Sequence, residues 1–256
     1  MQRFDHVSGN TLDADGAAIY YEVQGDPKDP VLLLLHGGLG NIEDFNGILP
    51  LLRGRFQIVG IDSRGHGRST LGSRPLTYAS LQHDAEGVIA QLAPDKLSIL
   101  GFSDGGIVAY RLAATALRIE RVATIGAHWE LPLGDPTREL LSGVTAERWR
   151  SLFPHSYKLY QRLNPVPDFD ALVRAIRTMW LDDGATGYPN DAVDRIACGL
   201  LAIRGEDDHL LSAQSVAALA ERANDARVSN IPYAGHAAHE DQPEAVMRAV
   251  NAFLRT

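Results

Sequence analysis

The stretch Ile99-Leu100-Gly101-Phe102-Ser103-Asp104-Gly105-Gly106, running on into Ile107-Val108-Ala109-Tyr110, decides how the whole chain is read. Residues 97–100 have the apolar character of a short strand. From Asp104 onward, Ile107, Val108, Leu112 and Ala113 fall on one face of a helix. Between strand and helix, Gly101 and Gly105 flank Ser103 in a G-x-S-x-G pattern. A serine at so sharp a turn holds a strained backbone, and side chains two residues to either side would collide. The turn lifts the hydroxyl clear of the sheet and points the helix N-terminus at it. The competing reading is a glycine-rich turn with a bystander serine. An unaided serine hydroxyl is a poor nucleophile: it needs a base, an acid to orient the base, and donors for an oxyanion.

Working outward, the flanking sequence alternates strand and helix. Residues 31–35 (VLLLL) are apolar without alternation, as in a strand buried on both faces of a parallel sheet, and end in the loop His36-Gly37-Gly38-Leu39-Gly40. Strands are also predicted within 16–24, 56–61, 121–126, 200–203 and 227–231, and helices over 81–92, 213–223 and 243–254. Between 129 and 194 the rhythm breaks into helices near 136–141, 146–163 and 168–181, rich in large apolar residues. The pattern predicts an α/β fold: a mostly parallel, doubly wound sheet of about eight strands. Residues 1–128 and 195–256 would form the core, with 129–194 an inserted helical lid. Trp129, Phe153, Tyr157 and Trp180 of that lid are expected to line a substrate pocket.

Composition narrows the partners. The 256 residues carry a formal net charge of -8 with no basic stripe, which argues against nucleic acid. No apolar run is long enough for a membrane span, and the first residues lack a signal-peptide core, so a cytoplasmic protein is expected. The single cysteine, Cys198, excludes an intramolecular disulfide and reads as a small buried residue entering a strand. A monomer or homodimer acting on a small molecule is expected, with neither metal nor organic cofactor.

The base should stand where strands end, on the edge at which open α/β sheets collect their sites. His236, after the last strand and before the last helix, meets that requirement; His239 is its competitor, and Gly235 is expected to leave room for the ring. The acid should follow the strand at 200–203, where Glu206, Asp207 and Asp208 stand in a row. One oxyanion donor should be the amide of Asp104, at a helix N-terminus. The other should come from Gly38, with Leu39 the alternative. His36 and His66 read as loop braces.

Ser103, an acid near 208 and His236 follow one another in the order nucleophile, acid, histidine. With "LLLLHGGLGN", "DSRGHGRS", "GFSDGG", "AIRGEDD" and "AGHAAHEDQPEAV", the chain resembles the α/β-hydrolase fold superfamily along almost its whole length. The resemblance implies the acid three residues after Gly205, hence Asp208, and the histidine of the G-H pair, His236. It is to serine members, since haloalkane dehalogenases and most epoxide hydrolases of this fold carry aspartate at the nucleophile. Leu39 departs from the "HGGPG" of proline iminopeptidases. The resemblance implies a serine hydrolase of small carboxylic esters, with a carbon–carbon bond hydrolase or lactonase as the alternative and a non-turnover ligand receptor as the reading from another class. "SDGG" also resembles biphenyl-hydrolase-like amino-ester hydrolases, in which the acidic residue after the serine can hold a substrate ammonium. The competing role for Asp104 is to complement its own helix dipole.

Overall fold

The computed structural model describes residues 3–53, 56–115 and 118–255. Within them, β1 (Asn10–Ala14), β2 (Ala17–Gln24), β3 (Val31–Leu35), β4 (Gln57–Ile61), β5 (Leu97–Phe102), β6 (Arg121–Ile125), β7 (Gly199–Gly205) and β8 (Ala226–Ile231) form one sheet. Its order is β1-β2-β4-β3-β5-β6-β7-β8, antiparallel at β1/β2 and β2/β4 and parallel from β4 onward. The run of leucines in β3 shows why the fold is doubly wound. Leu33 and Leu35 enter one hydrophobic core, whereas Leu32 and Leu34 enter the other. Successive side chains of a strand point to opposite faces, so a strand covered by helices on both sides must be apolar throughout.

Helices α1 (Tyr78–Leu92), α2 (Asp104–Ala113) and α7 (Ala213–Arg222) pack into the first core; α8 (Ala238–Asp241) and α9 (Pro243–Leu254) pack into the second. Helix α1 begins three residues before its expected start. Thr77 Oγ1 accepts from the Ser80 amide at 3.0 Å while Ser80 Oγ accepts from the Thr77 amide at 2.9 Å. Such a reciprocal capping box fixes the first turn where apolar periodicity gives no signal. The start is consequential, because it puts Tyr78 in the site.

Between β6 and β7 lie α3 (Thr137–Ser142), α4 (Ala146–Leu152), α5 (Pro154–Leu163) and α6 (Phe169–Trp180). The single helix expected over 146–163 is two, divided at Phe153. Pro154 has no N–H to continue the first helix but is suited to start the second. Polar tethers fasten this segment to the sheet's loops. Asn164 Nδ2 donates to the carbonyls of Gly65, Gly67 and Ser69 at 3.3, 3.2 and 2.9 Å, and the Ser156 hydroxyl donates to the Leu39 carbonyl at 3.3 Å.

A buried histidine clamps the N-terminal segment. His6 Nδ1 lies 2.8 Å from Glu43 Oε1 and Nε2 lies 2.9 Å from Asp62 Oδ2, so both nitrogens face acceptors and the ring is bound as imidazolium. Burial lowers the His6 pKa, but the bonds and charges of Asp62 and Glu43 outweigh it and the net shift is upward from 6.5. The sign follows from linkage: this stabilisation is complete below about pH 6.5 and is lost as pH rises through the raised folded value. Unfolding free energy should therefore fall as pH is raised through that value. His6→Ala should remove about 1–3 kcal/mol at pH 6 and flatten the dependence. Urea titrations at pH 6 and 8 check it; an unchanged slope in the variant would refute the clamp.

Candidate active site

Ser103 sits between β5 and α2 with φ 49° and ψ -115°, a backbone conformation that L residues rarely adopt. Its amide donates to the Ile125 carbonyl at 2.8 Å, and its carbonyl accepts from the Gly106 and Ile107 amides at 2.9 and 3.0 Å. The flanking glycines are required by contact. A Cβ at Gly101 would overlap the Gly105 carbonyl, and one at Gly105 would overlap the Leu35 carbonyl. The tight strand–helix packing thus makes the serine the apex of a turn that cannot relax.

Three predicted residues meet there. His236 Nε2 lies 3.0 Å from Ser103 Oγ, and His236 Nδ1 lies 3.0 and 3.1 Å from the two carboxylate oxygens of Asp208. The Asp208 side chain is fully buried, whereas Glu206 and Asp207 are exposed. Asp208 Oδ1 also accepts from the Leu210 and Leu211 amides at 2.9 and 3.1 Å. Burial raises the Asp208 pKa, but the bond and charge of His236 and these amides reverse it, holding the carboxyl below the ordinary aspartate value. An ionised Asp208 accepts from the Nδ1–H, which keeps the ring proton on Nδ1 and leaves Nε2 free to accept from the serine hydroxyl.

The competitor His239 is buried, its ring 4.5 Å from that of Phe102, with neither nitrogen hydrogen-bonded among the described residues. Burial lowers its pKa to about 4, so the ring is neutral, and it makes no hydrogen bond to Ser103. The room for His236 does not come from Gly235. It comes from Gly126, where a Cβ would lie 3.0 Å from the ring, and from Gly205, where a Cβ would overlap the carbonyls of Ala234 and Gly235.

The expected oxyanion loop is held by His36 and His66. His36 donates from Nδ1 to the Gly37 carbonyl at 2.7 Å and accepts at Nε2 from the Ser63 amide at 2.9 Å. His66 donates from Nδ1 to the Arg64 carbonyl at 3.0 Å and accepts at Nε2 from the Leu39 amide at 3.0 Å. Burial lowers both pKa values, that of His66 to about 3, which keeps both rings neutral as these bonds require. The Leu39 amide is therefore engaged, which removes Leu39 as an oxyanion donor. Gly38 and Asp104 both line the cavity beside Ser103.

The model of the alpha/beta hydrolase family matches residues 32–249, from β3 through most of α9. The chain belongs to the alpha/beta hydrolase family. An uncharacterised hydrolase of Bacillus subtilis, YraK, is 32% identical over 104 residues, covering 40% of this chain and 38% of the relative. The proline iminopeptidase PfmaB of Pestalotiopsis fici is 36% identical over 107 residues, covering 40% of this chain and 37% of the relative. The matched segments thus span well under half of either relative's length. The crystal structure of a hydrolase from Pseudomonas aeruginosa PA01 superposes with a TM-score of 0.77 at 24% identity, covering 98% of this chain and 100% of that one. That likeness is one of fold.

In this alpha/beta hydrolase a cavity of about 1090 Å³ opens beside Ser103. Its wall is mostly apolar and drawn largely from the segment between β6 and β7, including Leu140, Trp149, Phe153 and Trp180. Two expected lining residues lie elsewhere. Trp129 is buried with its Nε1 donating to the Ser215 carbonyl at 2.9 Å and the Arg222 guanidinium over its ring. Tyr157 packs on Phe169 with Arg150 over its own ring. Neither ring lines the cavity. Tyr78, His128 and Tyr188 line the wall without having been expected there; only the Thr77/Ser80 cap pointed, indirectly, to the first.

The Asp104 side chain is buried on the cavity wall. It accepts from the Tyr78 hydroxyl at 2.8 Å and from Trp180 Nε1 at 2.9 Å to each oxygen. Burial raises its pKa against the opposing pull of Trp180, Tyr78 and His236. Among the described residues no cluster of histidine, cysteine and acidic groups is arranged to hold a metal ion, and no helix is long and apolar enough to cross a membrane.

Proposed function

We propose that this alpha/beta hydrolase cleaves small carboxylic esters through an acyl-enzyme on Ser103. The observation that carries the reading is the hydrogen-bonded line Ser103 Oγ–His236 Nε2, His236 Nδ1–Asp208, with 3.0 Å at both junctions. Ser103 Oγ attacks the acyl carbon as His236 takes its proton. The tetrahedral oxyanion is bound by the amides of Gly38 and Asp104, the latter at the positive end of α2. Collapse expels the alcohol, which leaves with the proton from His236. Water then attacks the acyl-enzyme with His236 as base, releasing the carboxylic acid and restoring the serine. Asp208 stays ionised and stabilises the imidazolium throughout. Residues 129–194 act as a lid over the apolar cavity, with Phe153 and Trp180 against the substrate.

A fluorophosphonate probe tests the reading without a known substrate. One equivalent should attach to Ser103, found by peptide mass spectrometry, and should block turnover of p-nitrophenyl acetate. Labelling elsewhere, or turnover surviving full labelling, would overturn it. A panel of esters, thioesters and lactones then ranks the acyl and leaving groups.

A further inference from the structure

The Asp104 carboxylate is placed where three parts of the chain converge. It projects from the first residue of α2, next to Ser103, and meets the first residue of α1, Tyr78, and the last residue of α6, Trp180. Both donors share Oδ1, at 2.8 and 2.9 Å, and Trp180 Nε1 also lies 2.9 Å from Oδ2. Behind the indole, the Tyr188 hydroxyl donates to the Trp180 carbonyl at 3.0 Å. In front of it lies Gly38, where a Cβ would press on both Asp104 Oδ2 and the Trp180 ring. One carboxylate thus touches the helical segment, the oxyanion loop and the nucleophile turn together.

We propose that the side chain of Asp104 is a positioning group. It fastens the end of α6 to the nucleophile turn and so fixes the Trp180 indole as the cavity wall beside Ser103, rather than serving as a receptor for a substrate cation. Both oxygens of the buried carboxylate are turned to two neutral protein donors, and among the described residues the Trp180 indole N–H bonds only to Asp104. The Asn164 and Ser156 tethers fasten other points of the segment, and Tyr188 holds only the Trp180 backbone. An unheld indole would be free to rotate into the cavity or away from Gly38. Substrate would then bind against a wall that must first be ordered. The role depends on the reading of Ser103 as nucleophile, but the link itself does not.

Asparagine separates the two roles. Its carbonyl oxygen at the Oδ1 position still accepts from Tyr78 and Trp180, while the negative charge is gone. Proton–nitrogen NMR of the indole N–H groups reads the link without turnover, because the protein has three tryptophans and Trp129 and Trp149 serve as internal controls. In Asp104→Ala the Trp180 signal should move upfield and exchange faster with solvent, alone among the three. In Asp104→Asn it should stay near its original position.

With p-nitrophenyl butyrate, Asp104→Ala and Trp180→Phe should each lower kcat/KM about tenfold, chiefly through KM. Asp104→Asn should cost about threefold, and the double variant no more than the worse single. An unmoved Trp180 signal in Asp104→Ala, or single losses that multiply to about a hundredfold, would overturn the proposal. So would an Asp104→Asn variant as impaired as alanine on amine-bearing esters while sound on neutral ones, since that outcome marks charge recognition. If Asp104→Ala does not fold, Tyr78→Phe takes its place, because it removes the other donor from Oδ1 and should move the same indole signal. Retained activity in Ser103→Ala would instead defeat the hydrolase reading and leave the NMR result to judge the link.

Discussion

Ser103→Ala is expected to lower kcat for p-nitrophenyl acetate by about 10⁴-fold or more, with folding intact. The loss is large because, on the proposed reading, Oγ is the nucleophile: it lies 3.0 Å from His236 Nε2 at the end of a polarised line reaching Asp208. What remains in the variant is binding and whatever the Gly38 and Asp104 amides do for water attack. The fold should tolerate the change, since alanine is no worse than serine at φ 49° and the backbone bonds of residue 103 do not use its side chain. The check is steady-state turnover together with circular dichroism. Activity within about tenfold of the parent, in a folded variant, would mean that the serine is a bystander.

Asp208→Asn is expected to lower kcat by about 10³–10⁴-fold, whereas Asp207→Asn should change it by less than about threefold. Two backbone donors make the first effect definite. The Leu210 and Leu211 amides hold Oδ1, so an asparagine must place its carbonyl oxygen there and turn its NH₂ towards His236 Nδ1. A donor facing Nδ1 forces that nitrogen to become an acceptor and moves the ring proton to Nε2. The imidazole then points an N–H at Ser103 and is no longer able to take its proton. Asp207, exposed on the outside of the same loop, has no such lever. Parallel kinetics of the two variants settle which carboxylate acts; equal losses would remove Asp208 from the role.

Legibility tracked how local the controlling interaction is. The turn at Ser103 was readable because its glycines, strand and helix are adjacent in sequence. Strand β1 has no counterpart among the expected strands, although Asp15-Gly16 is a strong two-residue turn signal, with φ of 54° and 82° in the structure. The division at Pro154 likewise follows from a single residue. Trp129 and the Leu39 amide differ from expectation for another reason: each is held by partners distant in sequence, Ser215 and Arg222 for the first and His66 for the second. Nothing local to those two residues announces the partner, whereas Tyr157 packs on Phe169 beneath the nearer Arg150.

The sequence by itself determined the alternation of strand and helix, the doubly covered β3, the nucleophile turn and a chain order of Ser103, an acid among Glu206, Asp207 and Asp208, and His236. These follow from periodicity and from residues whose backbone demands are intrinsic. Only the tertiary structure decided which carboxylate turns inward, that the Leu39 amide is taken up by His66, and that the Asp104 side chain faces Tyr78 and Trp180. Those outcomes depend on burial and on hydrogen-bond partners brought together from segments tens of residues apart, and a buried polar group goes wherever the fold supplies its partner.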